Sequence, residues 1–175
     1  MSITEEVLKA TGSGVSFTRM NEHDLLEVVE IEENSGLSRW GWAAYYAELQ
    51  GANSNLMLVA RVANSKEQQR SFSLAGYIVA RMGADELHIN NVAVRENYRG
   101  RGIGRSLLEM ILTEGIKGGA SRAFLELRAG NDAALALYEK CGFRVTARRQ
   151  KYYSEPVEDA LVMIIELQQS LDPSR

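Results

Sequence analysis

Apolar and polar positions alternate along VSFTRM (15–20), which predicts a first strand. Asn21 then offers a helix cap, and EHDLLEVVEIEENSG places Leu25, Val28, Val29 and Glu32 on one helical repeat that stops at Gly36. WGWAAYYAEL (40–49) reads as a second short helix, rich in aromatic residues. NLMLVARVA (55–63) and FSLAGYIVARMG (72–83) are apolar strand patterns joined by polar NSKEQQRS, which predicts a hairpin. ELHINNVAV (86–94) is a further strand, and RENYRGRGIG (95–104) a Gly/Arg-rich loop. Leu107, Leu108, Ile111 and Leu112 then mark a helix over 105–116, closed by Gly118-Gly119. SRAFLELRA (121–129) is a buried strand, and Asn131 caps a helix through ALALYEKCG that ends at Gly142. FRVTARRQ and DALVMIIEL are two closing strands around a polar loop, KYYSEPVE.

The order β, α, α, β, β, β, α, β, α, β, β predicts one mixed α/β (α+β) fold, a mainly antiparallel sheet with helices on both faces. Residues 1–13 read as a flexible, weakly helical extension, 14–168 as a single domain and 169–175 as a tail. The segment 64–71 reads as an insert. The last strand would pair between chains if it were left at an edge, so a monomer or weak homodimer is expected.

Composition narrows the function classes. The 175 residues carry 20 Lys plus Arg against 23 Asp plus Glu, a net charge of −3, so bulk electrostatic binding of nucleic acid is not expected. One cysteine excludes a disulfide framework and a thiolate-rich zinc site, and two histidines argue against a His-rich metal site. No apolar run approaches the roughly 20 residues that span a bilayer. The polar, acidic start MSITEEVLKATGSG does not read as a signal peptide, so the expected location is cytoplasmic, away from membranes.

The most informative stretch is VAVRENYRGRGIGRSLL (92–108), a strand running through glycines into a helix. The first amides of a helix have no intrahelical partner, and with the helix dipole they make a seat for phosphate. Glycines let the main chain approach the anion, and Arg99, Arg101 and Arg105 add positive charge. A Walker loop needs Gly-Lys followed by Ser or Thr, which is absent. A dinucleotide fingerprint needs a third glycine where Arg105 stands. What remains is R-x-x-G-x-G, formed by Arg99, Gly102 and Gly104, or a surface turn with solvated arginines.

R-x-x-G-x-G resembles the acyl-CoA pyrophosphate loop of the GNAT superfamily of N-acetyltransferases. LELRAGNDAALALYEKCGF (125–143), with its L-Y-x-x-x-G-F ending, resembles that family's closing signature. With RRQKYYS and EDALVM after it, residues 86–165 resemble the branch that acetylates the N-terminal alanine of a small-subunit ribosomal protein. The resemblance implies a sheet of about seven strands and four helices, with a V-shaped splay between the fourth and fifth strands, 86–94 and 121–128. It implies acetyl-CoA as co-substrate, its pantetheine on Val92, Ala93 and Val94. The pyrophosphate would lie on the main chain of Arg99, Gly100, Arg101, Gly102, Ile103, Gly104 and Arg105, with no metal. Asn131 matches a cofactor-contacting asparagine and can also be a plain helix cap.

The resemblance also implies catalytic roles. Glu126 sits where relatives carry a carboxylate base. Strand alternation puts it on one face with Phe124 and Arg128, and a carboxylate in an apolar strand is either useful or ion-paired, with Arg128 or another basic residue. Tyr138 matches a general acid, with core packing as the alternative. His88 could share the base role or orient a water, or be a hydrogen-bonded strand histidine; His23 is given no role. Tyr152 and Tyr153 match a pair that holds the substrate's N-terminal backbone, and Trp40 a groove wall, against simple rim packing for all three. Cys141 reads as packing, and Arg148-Arg149 as a solvated strand end, with binding of the adenosine phosphate or of an acidic partner as the alternatives. The implied partner is a protein N-terminus. The rivals are a transferase for lysine side chains or small amines, and a non-catalytic acyl-CoA-binding module.

Overall fold

The computed structural model describes residues 9–10, 14–51, 55–63 and 72–167. Its strands are β1 (Lys9–Ala10), β2 (Val15–Arg19), β3 (Asn55–Ala63), β4 (Phe72–Gly83), β5 (Glu86–Val94), β6 (Arg122–Arg128), β7 (Arg144–Ser154) and β8 (Val157–Glu166). Its helices are α1 (Leu25–Glu33), α2 (Gly41–Leu49), α3 (Ile103–Lys117) and α4 (Asp132–Lys140). Hydrogen bonding orders the strands β1-β2-β3-β4-β5-β6-β8-β7. This is the mixed sheet with four helices that the sequence implies, with β1 added.

The chain separates into two compact units, Met1–Val79 with Asn91–Leu107, and Ala80–Asn90 with Leu108–Arg175. In the first, β2 pairs antiparallel with β3, and the apolar stripe of α1 (Leu25, Val28, Ile31) joins Met20, Tyr45, Met57, Val59, Leu74, Tyr77, Val79 and Ala93 in one core. Burial of each Leu, Ile, Val and Met side chain among them contributes about 1.5–3 kcal/mol. Asn21 caps not α1 itself but a 3-10 turn, Glu22–Asp24, that leads into it. Its side chain accepts from His23 N while Asp24 accepts from Asn21 N, a reciprocal capping box. Asp24 is buried and paired with Arg61, which also reaches Thr18.

In the second unit β5 and β6 run parallel, with Glu86–Ile89 opposite Arg122–Leu125. The pairing with β5 ends there, and beyond it Glu126, Leu127 and Arg128 pair with β8. A parallel pair that closes at one end only fits the expected splay. Helix α3 comes so close to this sheet that a Cβ on Gly115 would lie 2.8 Å from Leu87 Cδ2.

Four expectations change. Lys9 and Ala10 pair with Phe17 and Ser16 as a strand rather than a weak helix; the rest of 1–13, the insert 64–71 and the tail 169–175 lie outside the described residues. Helix α3 starts at Ile103, two residues early, because Gly102 already closes the turn: its carbonyl accepts from Ser106 N at 2.9 Å. KYYSEPVE is not a loop, since β7 runs to Ser154 and β8 starts at Val157. Finally, β8 lies between β6 and β7, so β7 is the edge strand.

Candidate active site

Strand β6 alternates cleanly. Ala123, Leu125 and Leu127 are buried, while Phe124, Glu126 and Arg128 on the other face are half-buried. The Glu126 carboxylate is held by two residues of β7: Arg149 donates to Oε1 and the Tyr152 hydroxyl donates to Oε2 at 2.8 Å. Residues three apart point to opposite faces of a regular strand. Here the strand is irregular, because the register shifts between Arg149 and Tyr153 and Lys151 has φ of +50°. Asp159 of β8 pins the bulge, accepting from Lys151 N at 2.8 Å and Arg148 Nε at 2.7 Å. Those bonds, the backbone one first, hold its carboxyl below the usual range.

Arg128 is occupied elsewhere. Its guanidinium lies 4.2 Å from the Tyr153 ring centre and donates to Glu158, Glu155 O and Pro156 O. Tyr153 in turn stands edge-on to Tyr152, with ring centres 5.2 Å apart. So Tyr152 and Tyr153 are strand residues beside Glu126, and Arg149, not Arg128, is its ion-pair partner.

His88 on β5 lies opposite Phe124 in the register and stacks on it at 4.3 Å. Burial, reinforced by Arg81 and Arg149 and opposed by Glu126, lowers its pKa, so the imidazole is neutral near pH 7. Tyr138 on α4 is buried and tilts against Phe143 at 5.9 Å. Burial, with smaller contributions from Tyr153 and Cys141, pushes its phenol well above the usual range. Asn131 caps α4 by accepting from Ala134 N at 3.1 Å. Half-buried Cys141 ends that helix.

The glycine loop belongs to the first unit. Val92 and Val94 are half-exposed, alternating with buried Asn91 and Ala93. Arg95 is tied to Glu27, Glu30 and Leu74 O, and Arg99 Nε donates to Val94 O at 3.0 Å. Gly100 and Gly102 have φ of +75° and +77°, and a Cβ on either would meet nothing within 4 Å. Left-handed backbone with open space beside it, followed by the first-turn amides of α3, fits a diphosphate. Arg101 packs over the Tyr98 ring at 5.2 Å, and Arg105 is exposed. Trp40 lies in the same unit, half-buried, its ring 5.4 Å from that of Tyr45.

Two polar contacts go beyond the sequence-based expectations. One is Arg149 as the partner of Glu126. The other is Glu32, which is buried and accepts from Trp40 N at 2.8 Å, Gly41 N at 3.0 Å and the Tyr45 hydroxyl at 2.7 Å. The Tyr45 oxygen also meets the Tyr77 hydroxyl at 2.8 Å and accepts from Asn91 Nδ2. Burial pushes both phenols above the usual range, so they remain donors. The available signal was a carboxylate standing on the apolar repeat of α1.

The chain is similar to several known proteins. The model of the acetyltransferase (GNAT) family matches residues 25–143. The ribosomal protein bS18-alanine N-acetyltransferase of Escherichia coli (strain K12) is 38% identical over 94 residues, which span 53% of this chain and 64% of that relative, less than two thirds of its length. The protein of the same name from Salmonella typhimurium (strain LT2) is 31% identical over 144 residues, 81% of this chain and 90% of the relative. The crystal structure of the ribosomal-protein alanine N-acetyltransferase from Escherichia coli aligns with a TM-score of 0.72 at 27% identity, covering 87% of this chain and 94% of that one. With the family model matched over more than half of its length, the chain belongs to the GNAT family of acetyltransferases.

Proposed function

We propose that this protein transfers an acetyl group from acetyl-CoA to the N-terminal α-amine of a protein, with a ribosomal protein that begins with alanine as the leading substrate. Residues 14–168 form the catalytic domain, acting in the cytoplasm. The observation that carries the reading is the Glu126 carboxylate, half-buried on an apolar strand and held by Arg149 and Tyr152, in a chain whose relatives are named alanine N-acetyltransferases.

Acetyl-CoA supplies the thioester carbonyl that the amine attacks and the thiolate that leaves. The residues Arg99 to Arg105 hold its diphosphate, and the backbone of Val92, Ala93 and Val94 holds its pantetheine. Glu126 takes the proton of the amine, directly or through a water, because each carboxylate oxygen keeps a further lone pair beside the one that Arg149 or Tyr152 uses. An α-amine titrates at about 7.7–8.0, against about 10.4 for a lysine side chain, so the base has less work on an N-terminus. Neutral His88 accepts a hydrogen bond from the same water. Tyr138 stays protonated and supports the departing sulfur. Its raised pKa makes it a hydrogen-bond donor more than a full proton source. Tyr152 and Tyr153 contact the peptide backbone from their unit, and Trp40 is the peptide-contacting residue assigned in the other.

The test is release of CoA thiol by the purified protein with peptides starting in Ala, against an internal-lysine peptide and a polyamine. Preference for the Ala peptide, and loss of turnover in Tyr138→Phe and Glu126→Gln, is the expected result. Preference for the other amines moves the assignment to a side-chain or small-amine transferase. Binding of acetyl-CoA without turnover makes it a binding module.

A further inference from the structure

Asn90 lies on β5 between His88 and Val92. Buried Leu87, Ile89 and Asn91 alternate with half-exposed His88, Asn90 and Val92, so Asn90 shares the face of His88. His88 stacks on Phe124, which shares a face of β6 with Glu126. The β5–β6 register runs to Ile89 opposite Leu125, so Asn90 and Glu126 are the next residue on each strand, where the pair begins to open. Paired strands lie about 4.8 Å apart, and one residue beyond the last pair both side chains are still within reach of one small polar group.

The Asn90 side-chain oxygen is buried and has no hydrogen-bond partner among the described residues. Buried polar atoms without a partner are rare in folded proteins, because leaving a carbonyl oxygen dry and unpaired is unfavourable. On the rim of an opening strand pair, next to a carboxylate, such an atom is explained by a group that arrives with the substrate.

We propose that the Asn90 amide oxygen is a substrate-binding group that accepts a hydrogen bond from an N–H of the amine to be acetylated. This rests on the amine-acetylation reading above and adds a residue to it. An attacking amine must aim its lone pair at the acyl carbon, so its N–H groups need acceptors elsewhere. Glu126 provides one acceptor and takes a proton. Asn90 provides a second that carries no charge. A second carboxylate there would bind more tightly but would stabilise the ammonium form, which cannot attack. A neutral acceptor orients the amine and leaves its pKa nearly unchanged.

The variants Asn90→Leu, of similar size and apolar, and Asn90→Ala test this in the full chain. The readouts are steady-state kinetics on whichever amine of the panel above the wild type uses best, acetyl-CoA affinity by calorimetry, and the urea midpoint. The expected result is a KM for the amine raised on the order of tenfold, with acetyl-CoA affinity unchanged. The urea midpoint of Asn90→Leu should be equal or higher, since an unpaired buried acceptor is gone. A lower midpoint with unchanged KM means the oxygen serves a structural water and overturns the proposal. Parallel loss of acetyl-CoA affinity assigns Asn90 to the cofactor and also overturns it. If the wild type prefers lysine or polyamine, the N-terminal reading fails while the KM shift on that amine still decides Asn90; turnover of no amine sinks both.

Discussion

The Tyr152 hydroxyl donates to Glu126 at 2.8 Å from a strand that alternation alone would turn the wrong way. The bulge at Lys151 makes the contact, and Arg149 from the same irregular stretch holds the other oxygen. The candidate base is thus aimed by an edge strand, and its partners are both more than a third exposed.

That exposure separates catalysis from stability at this site. Glu126→Gln removes the proton acceptor and should lower kcat by about 10²- to 10⁴-fold. Solvent screens the Arg149 pair, so the fold should lose only about 0–1 kcal/mol. Tyr152→Phe keeps the ring and removes one donor, and should cost far less activity. Kinetics and urea unfolding on the two single variants and the double check this. Once the carboxylate is gone, Tyr152→Phe should add little further loss in kcat. Equal effects of the two single variants on kcat would count against Glu126 as the base.

The glycine loop makes a second, independent prediction. Ala at 102 must adopt φ near +77° without any clash, at about 1–2 kcal/mol of backbone strain. Its Cβ also enters the space assigned to the diphosphate. Gly102→Ala should therefore lose acetyl-CoA affinity as well as stability. Gly119→Ala, with φ of +91° and equally open surroundings, is the control: it should lose comparable stability and keep its affinity, as calorimetry will read.

What was legible in the sequence was local. Period-two strands, the helical repeat of α3, the Asn131 cap and the glycines before Ile103 each carry their signal within a few residues. The partner of Glu126 did not, because β7 reaches the site only through pairing with β8, which returns beside β6. Arg128, two residues away on the same face, was the natural candidate, but Glu158 and the carbonyls of Glu155 and Pro156 occupy it. The left-handed Lys151 has no glycine to announce it, so KYYS read as loop. Glu32 stood in plain view on the apolar face of α1, but its donors are backbone amides and a phenol 8 to 13 residues on. The orphaned oxygen of Asn90 has no sequence signature at all.

Glu32 itself gives a third prediction. Three donors converge on its two oxygens, and a glutamine offers only one acceptor oxygen. Whichever way that amide turns, a buried N–H or O–H faces an NH₂ group. Glu32→Gln should therefore destabilise the fold by about 1–3 kcal/mol, visible as a lower urea midpoint. Because two of the donors are the amides of Trp40 and Gly41, KM for the peptide should rise while acetyl-CoA affinity holds. An unchanged peptide KM in the destabilised variant would remove Trp40 from the peptide path.

His88 couples the fold to pH with a definite sign. Burial lowers its pKa in the folded protein below the unfolded value of about 6.5. Between those two pKa values the unfolded chain binds more protons, so stability rises with pH across the window. Below the folded pKa both states are charged and the slope from this residue vanishes; above about 6.5 both are neutral and it vanishes again. Replacing the imidazole by an amide removes the titration, so His88→Gln should flatten the loss of stability as pH falls from about 6.5, after subtraction of the shared carboxylate background. Urea midpoints of wild type and variant from pH 7.5 down to 4.5 read the difference. If the difference between the two curves stays constant across the range, His88 is not held neutral by its burial against Phe124. A neutral acceptor at this position would then lose its support.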